Sequence, residues 1–158
     1  MKSIRIYCKN DGMYHDVPKG ATLEEVYETL NLNLPCCVTS CKVNNRVEGL
    51  HYTINDSRDL EYLTLASPSG LRTYTRSLFF VLYKAVRDLY PEAELRIGTP
   101  VSGGYFCRLA LPGGITPEVP ERLRRRMAEI VASDLPFRRV TAHTTDAIEV
   151  FRRQGFTR

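Results

Sequence analysis

Arg72, Arg76 and Phe80 follow one another at four-residue spacing, with Thr73, Ser77 and Lys84 beside them. On a helix that spacing gathers them on one face. A guanidinium fork takes a phosphate or carboxylate bidentately, and an aromatic ring offers a stacking surface to a base. Arg72, Arg76, Phe80 and Lys84 are therefore candidates for holding a phosphate or nucleotide. The competing reading pairs Arg76 with an acidic neighbour and packs Phe80 in a core. A second group, Arg122, Arg124, Arg125 and Arg126, lies away from the apolar positions Val119, Leu123 and Met127. Glu121 with Arg125 and Arg125 with Glu129 stand at i, i+4, pairs worth about 0.2–0.5 kcal/mol each. Arg122, Arg125 and Arg126 read either as a solvated helix face or as a contact to RNA backbone, which would weaken steeply with salt.

Other chemistry is poorly provided for. The five cysteines are an odd number in a chain without a secretion signal and are expected to be free thiols buried as small apolar side chains. Cys36, Cys37 and Cys41 cluster, yet nothing nearby completes the four ligands of a zinc site, and His15, His51 and His143 stand far apart. No metal ligand set and no catalytic residue is assigned; Cys107 and His143 have no spacing that would pair them as nucleophile and base.

The composition, 43% hydrophobic and 25% charged over 158 residues, is that of a packed domain or two small ones. Disordered and fibrous classes are excluded, no apolar run approaches a membrane span, and the N-terminus lacks a signal-peptide pattern, so a cytoplasmic protein without membrane contact is expected. The net charge of +4 is unevenly held. Residues 1–69 carry 7 basic and 9 acidic side chains, residues 70–158 the remaining 15 and 9, and Lys84 is the one lysine among those 15. A step from −2 to +6 points to two modules and a polyanionic partner for the second.

The elements that must position these residues follow from pattern. Ile4, Ile6 and Cys8 alternate as a strand; Asn10-Asp11-Gly12 is a hairpin turn; Met13, His15 and Val17 return. Thr22 and Glu25 form a capping box for a helix over 23–30 burying Leu23, Val26, Tyr27 and Leu30, with Ala21 stapled on Val26. Strands are predicted over 37–43, near Val47 and over 60–65. Ala66-Ser67-Pro68-Ser69-Gly70 has linker composition. Leu71, Tyr74, Leu78, Leu82, Ala85 and Leu89 mark a helix stopped by Pro91. Strands are predicted at 95–97 and 104–111, and a helix from Thr116-Pro117 to Ser133 buries Val119, Leu123, Met127, Ile130 and Val131. A strand over 137–141 and a helix capped by Thr144 or Thr145, running through Ile148 and Phe151 and ended by Gly155, complete the chain.

Val17-Pro18-Lys19-Gly20-Ala21-Thr22-Leu23-Glu24-Glu25-Val26, Cys41-Lys42-Val43-Asn44-Asn45-Arg46-Val47 and Asp56-Ser57-Arg58-Asp59-Leu60-Glu61-Tyr62-Leu63 together resemble the TGS domain, the β-grasp module of threonyl-tRNA synthetases, certain GTPases and stringent-response enzymes. The runs Arg76 to Pro91, Arg96 to Cys107, Met127 to Phe137 and Asp146 to Phe151 resemble the second N-terminal domain of threonyl-tRNA synthetase, shared with alanyl-tRNA synthetase as its editing domain. The resemblance implies an α+β chain: a ubiquitin-like β-grasp domain over 1–66, a linker at 67–70, and an editing-like domain with antiparallel sheet and helices over 71–158.

In the editing family the first helix carries His-x-x-x-His. The alignment on Ala85-Val86 and Pro91 puts Arg76 and Phe80 at those positions, and neither can ligate a metal. The family's Cys-x-x-x-His half-site is also absent: Gly12, Ser40, Cys41, Asn45 and Leu111 stand four residues after the five cysteines. The resemblance thus implies a degenerate, non-catalytic accessory region without a cofactor of its own. Its expected parent is a uridine kinase-like nucleoside phosphotransferase, whose absent C-terminal domain would bind ATP and Mg and be its partner, since no Gly-Lys of a P-loop occurs here. The alternative parent is a threonyl-tRNA synthetase with inactive editing, or the chain is a stand-alone RNA-binding module. On either parent it is the truncated front of a longer protein, and its oligomeric state is undetermined.

Overall fold

The computed structural model describes residues 2–138 and 140–155. It is an α+β chain whose larger sheet has five strands. β1 (Ser3–Cys8) and β2 (Met13–Pro18) form the predicted hairpin, with Gly12 at φ +72° in its turn. The Thr22 hydroxyl and the Glu25 carboxylate cap each other's backbone N–H groups at the start of α1 (Leu23–Leu30), and Asn31 ends it in the left-handed region. β3 (Val38–Val43), β4 (Arg46–Glu48) and β5 (Asp59–Thr64) complete the sheet in the order β2-β1-β5-β3-β4. Among the described residues of this sheet, only the β1–β5 pair is parallel.

One face of this sheet closes over α1. Ile6, Cys8, Val17, Leu23, Val26, Cys41, Val43, Ile54, Leu60 and Tyr62 form the core. The Tyr62 hydroxyl donates to the Leu23 carbonyl at 2.8 Å, so its buried polar tip is satisfied inside the helix's first turn. Tyr27, Leu30 and Ala21 pack at the margin of this core, not inside it.

The segment predicted as a linker is instead the start of α2 (Pro68–Leu89). Ser67 caps it, accepting from the Gly70 N–H at 3.1 Å, and Pro68 occupies the first helical position. The composition Ser-Pro-Ser-Gly serves a cap as well as a linker. Gly70 lies directly on the Thr64 carbonyl, where a Cβ would overlap it. The Thr39 hydroxyl reaches the carbonyls of Leu63 (3.3 Å) and Gly70 (3.2 Å). Ser40 and Leu63, paired across β3 and β5, are buried where α2 meets those strands.

β6 (Glu94–Val101) and β7 (Gly104–Ala110) make a separate antiparallel ribbon, turned at Ser102 and Gly103 (φ +46° and +79°) and bulged between Ile97 and Pro100. α3 (Glu118–Ala132) starts at Pro117 without a side-chain cap, one residue later than Thr116-Pro117 implied. It packs on α2 through Ala85, Val86, Val119 and Ile130. Leu123 and Met127 are half-buried, and Val131 faces solvent. α4 (Thr144–Arg153) is preceded by His143, not capped by Thr144 or Thr145, and Ile148 and Phe151 are exposed. Of the strand predicted over 137–141, residue 139 lies outside the described residues and the described ones form no strand. No helix is long and apolar enough to cross a membrane among the described residues.

Candidate functional site

α2 supplies the floor and α3 with the chain after it the wall of a cleft of about 510 Å³. Phe80 and Phe137 meet edge to face there, 5.9 Å between ring centres, and Leu78, Val81 and Ile130 make the lining mostly apolar. Phe80 is 64% exposed, so neither the core reading nor a fully enclosed pocket applies to it. Lys84 reaches the same cleft, but its ammonium lies 3.1 Å from both Asp88 oxygens.

Arg72 and Arg76 do not line this cleft. The lining of α2 runs from Tyr74 to Lys84 and passes over Arg76. Arg72 donates to the Ser69 hydroxyl at 3.1 Å, and Arg76 is exposed with no acidic partner among the described residues. The four residues proposed as one site are thus split, Phe80 and Lys84 inside the cleft and the two arginines outside it.

The arginine helix is also divided. Arg126 donates to Asp88 through Nε (3.0 Å) and Nη2 (2.8 Å) and to Glu129 at 2.8 Å, so Glu129 pairs with Arg126 and not with Arg125 as expected. Hydrogen bonds from Arg126, seconded by Lys84, hold the Asp88 carboxyl below its usual range. This bridge ties α2 to α3 behind the cleft. Arg122 stands over the Tyr90 ring at 5.5 Å. Arg124 and Arg125 are exposed, with no acidic partner among the described residues.

The cysteines separate by position. Cys8 and Cys41 are buried, and burial pushes the Cys41 thiol up to about 12. Cys37 and Cys107 are exposed, against the expectation that all would be buried. Cys36 is half-exposed, and hydrogen bonding to Thr64 lowers its thiol. No group of three or more His, Cys, Asp or Glu with metal-binding geometry occurs among the described residues. The cleft can seat an apolar or planar group against Phe80 and Phe137; its lining has no histidine or cysteine to attack one.

No family model matches the chain. It is similar to threonine–tRNA ligases. That of Desulforamulus reducens is 32% identical over 151 residues, 96% of this chain and 24% of the relative. Those of Clostridium novyi (30%, covering 96% and 24%) and Symbiobacterium thermophilum (28%, covering 98% and 24%) align over nearly the same extent. The chain therefore spans about a quarter of the length of these curated relatives. Their names favour the synthetase alternative over the nucleoside-kinase parent, for which nothing in these relatives speaks.

Sequence reasoning missed Arg96, Arg108 and Phe106. They come together only once the β6–β7 register is known, because Arg96 stands directly opposite Arg108.

Proposed function

We propose that the chain is the accessory N-terminal region of a threonyl-tRNA synthetase-type protein: a β-grasp module over residues 1–66 and a degenerate editing-like module after it, contacting tRNA in the cytoplasm without hydrolysing its ester. The observation that carries this reading is the similarity to threonine–tRNA ligases across 96% of the chain. The cleft supports the second half of it. At a position where the editing family places a histidine stands Phe80, and Phe80 meets Phe137, an arrangement that binds surface but moves no proton and holds no metal. Arg124 and Arg125, exposed on a half of net charge +6, supply contacts to backbone phosphates. The region needs no metal or nucleotide of its own, and its partner is the catalytic part of the same protein or tRNA.

A mobility-shift titration with tRNA at low salt tests the binding. The expected outcome is a complex that weakens as salt rises, together with no release of serine from Ser-tRNA(Thr). Absence of a complex, or efficient deacylation by this chain, would refute the reading.

A further inference from the structure

We propose that the solvent face of the β6–β7 ribbon binds single-stranded RNA, with a base stacked on Phe106 and flanking phosphates held by Arg108 and Arg96. The proposal rests on the RNA-contacting reading above and gives it a second location, away from α3 and from the cleft.

Three observations meet on this face. Strand alternation places Leu95, Ile97 and Leu109 on the half-buried side, which meets α2 where Phe79 touches Tyr105 edge on at 4.9 Å. The opposite side carries Glu94, Arg96, Gly98, Val101, Phe106 and Arg108, all exposed.

On that side Arg96 and Arg108 are direct cross-strand partners. Like charges so placed have Cβ atoms about 5 Å apart and destabilise the pair, an arrangement that an anion between them relieves. Glu94 answers one of the two, accepting from Arg96 at 2.7 and 2.8 Å. Arg108 has no carboxylate partner among the described residues.

Phe106 lies on the Gly98 backbone: a Cβ on Gly98 would come within 3.4 Å of the ring and 3.3 Å of the Phe106 carbonyl. The ring is thus braced from below by a residue without a side chain, and it is 61% exposed above. A held, flat, open ring beside an uncompensated guanidinium suits a nucleotide, whose base stacks and whose phosphate pairs. Phe106 and Arg108 are two residues apart on the same face, about 7 Å along the strand, within the reach of one nucleotide. Arg96 also borders a second cleft, lined by Arg87 and Arg153 together with Glu92 and Glu94, in which Arg153 pairs with Glu149; Arg108 therefore carries the uncompensated charge of the face. An acidic protein segment would use the arginines but leave the braced ring idle; single-stranded RNA uses both.

Fluorescence anisotropy with a labelled single-stranded RNA of about 10 nucleotides, with the full chain at low salt, tests this. Phe106→Leu keeps the apolar cover of Gly98 but not the stacking surface, and its expected effect is a loss of affinity of about five- to hundred-fold, with Phe106→Tyr near wild type. Arg108→Ser is expected to weaken binding and reduce the log–log salt slope by about 1. Circular dichroism checks that each variant folds. If Phe106→Leu and Arg108→Ser bind as wild type while the double variant Arg124→Ser, Arg125→Ser does not, RNA contact survives on α3 and the ribbon site is refuted. Wild-type protein that binds neither this RNA nor tRNA would overturn both readings. Concentration-dependent dimerisation that Phe106→Leu abolishes would assign the face to a second copy of the chain and equally overturn the site.

Discussion

The β1–β5 sheet with α1 and the region from α2 onward handle apolar surface in opposite ways. In the first, ten mutually packed residues close a core around Leu60 and Tyr62. In the second, only Gly70, Ala85, Val86, Val119 and Ile130 are buried among the described residues, while Phe80, Phe106, Val131, Phe137 and Phe151 are each more than half exposed. Charge follows the same division, −2 before residue 70 and +6 from it onward. Exposed rings beside arginines without acidic partners among the described residues, such as Arg108, Arg124 and Arg125, are the surface on which the proposed function rests, since patches of this kind mark interaction surfaces. The sheet region, by contrast, has the organisation of a stable platform.

The largest test of this contrast is truncation of matched apolar side chains in the two regions. Leu60 has no exposed surface, and Leu60→Ala is expected to cost about 3–4 kcal/mol, cavity included. Leu78→Ala removes the same atoms from a side chain that is 37% exposed and is expected to cost about 1 kcal/mol or less. Urea denaturation read by circular dichroism measures both. Equal losses would dissolve the distinction between platform and contact surface.

The next effect concerns the joint between the regions. A methyl group on Gly70 would collide with the Thr64 carbonyl, a backbone atom that cannot swing aside, so α2 must shift off β3 and β5. Gly70→Ala is expected to cost about 1–3 kcal/mol, and to expose the buried pair Ser40 and Leu63 to faster amide exchange at β3 and β5. Unchanged exchange there would mean that the joint tolerates displacement and the two regions are only loosely coupled.

How much of this was legible in the sequence depended on whether a feature was local. The Thr22–Glu25 capping box identified α1 to the residue, and Asn10-Asp11-Gly12 identified the first hairpin, because each completes its hydrogen bonds within a few positions. Ser67-Pro68 misled because the residues that punctuate linkers also cap helices. Periodicity found the apolar stripe of α3 correctly but overstated its burial: a stripe shows which face is apolar, and burial of Val131 needs a partner surface from elsewhere. The site was legible in the same measure. Phe80 and Lys84 were found from spacing, whereas the exclusion of Arg72 and Arg76 from the cleft, Phe137, Arg96 with Arg108, and the Arg126–Asp88 bridge required tertiary placement.

The smallest expected effect is also the most specific to the contact region. Asp88 accepts from Lys84 on its own helix and from Arg126 on α3, and its carboxyl lies below its usual range chiefly through the Arg126 hydrogen bonds. A carboxyl with a depressed folded-state pKa contributes stability that is present above its unfolded value of 3.8 and is lost as pH falls through the folded value. Asp88→Asn is therefore expected to lower the Tm by a few degrees at most at pH 7, as exposed pairs contribute little, and the gap to wild type should close as the pH drops below 3.8 and the wild-type carboxyl takes up its proton. High salt at pH 7 should narrow the gap as well, because the bridge is partly open to solvent. A Tm difference independent of both pH and salt would show that Asp88 holds the two helices by packing and not by charge. The contact region would then owe its geometry to the few buried residues of α2 and α3 alone.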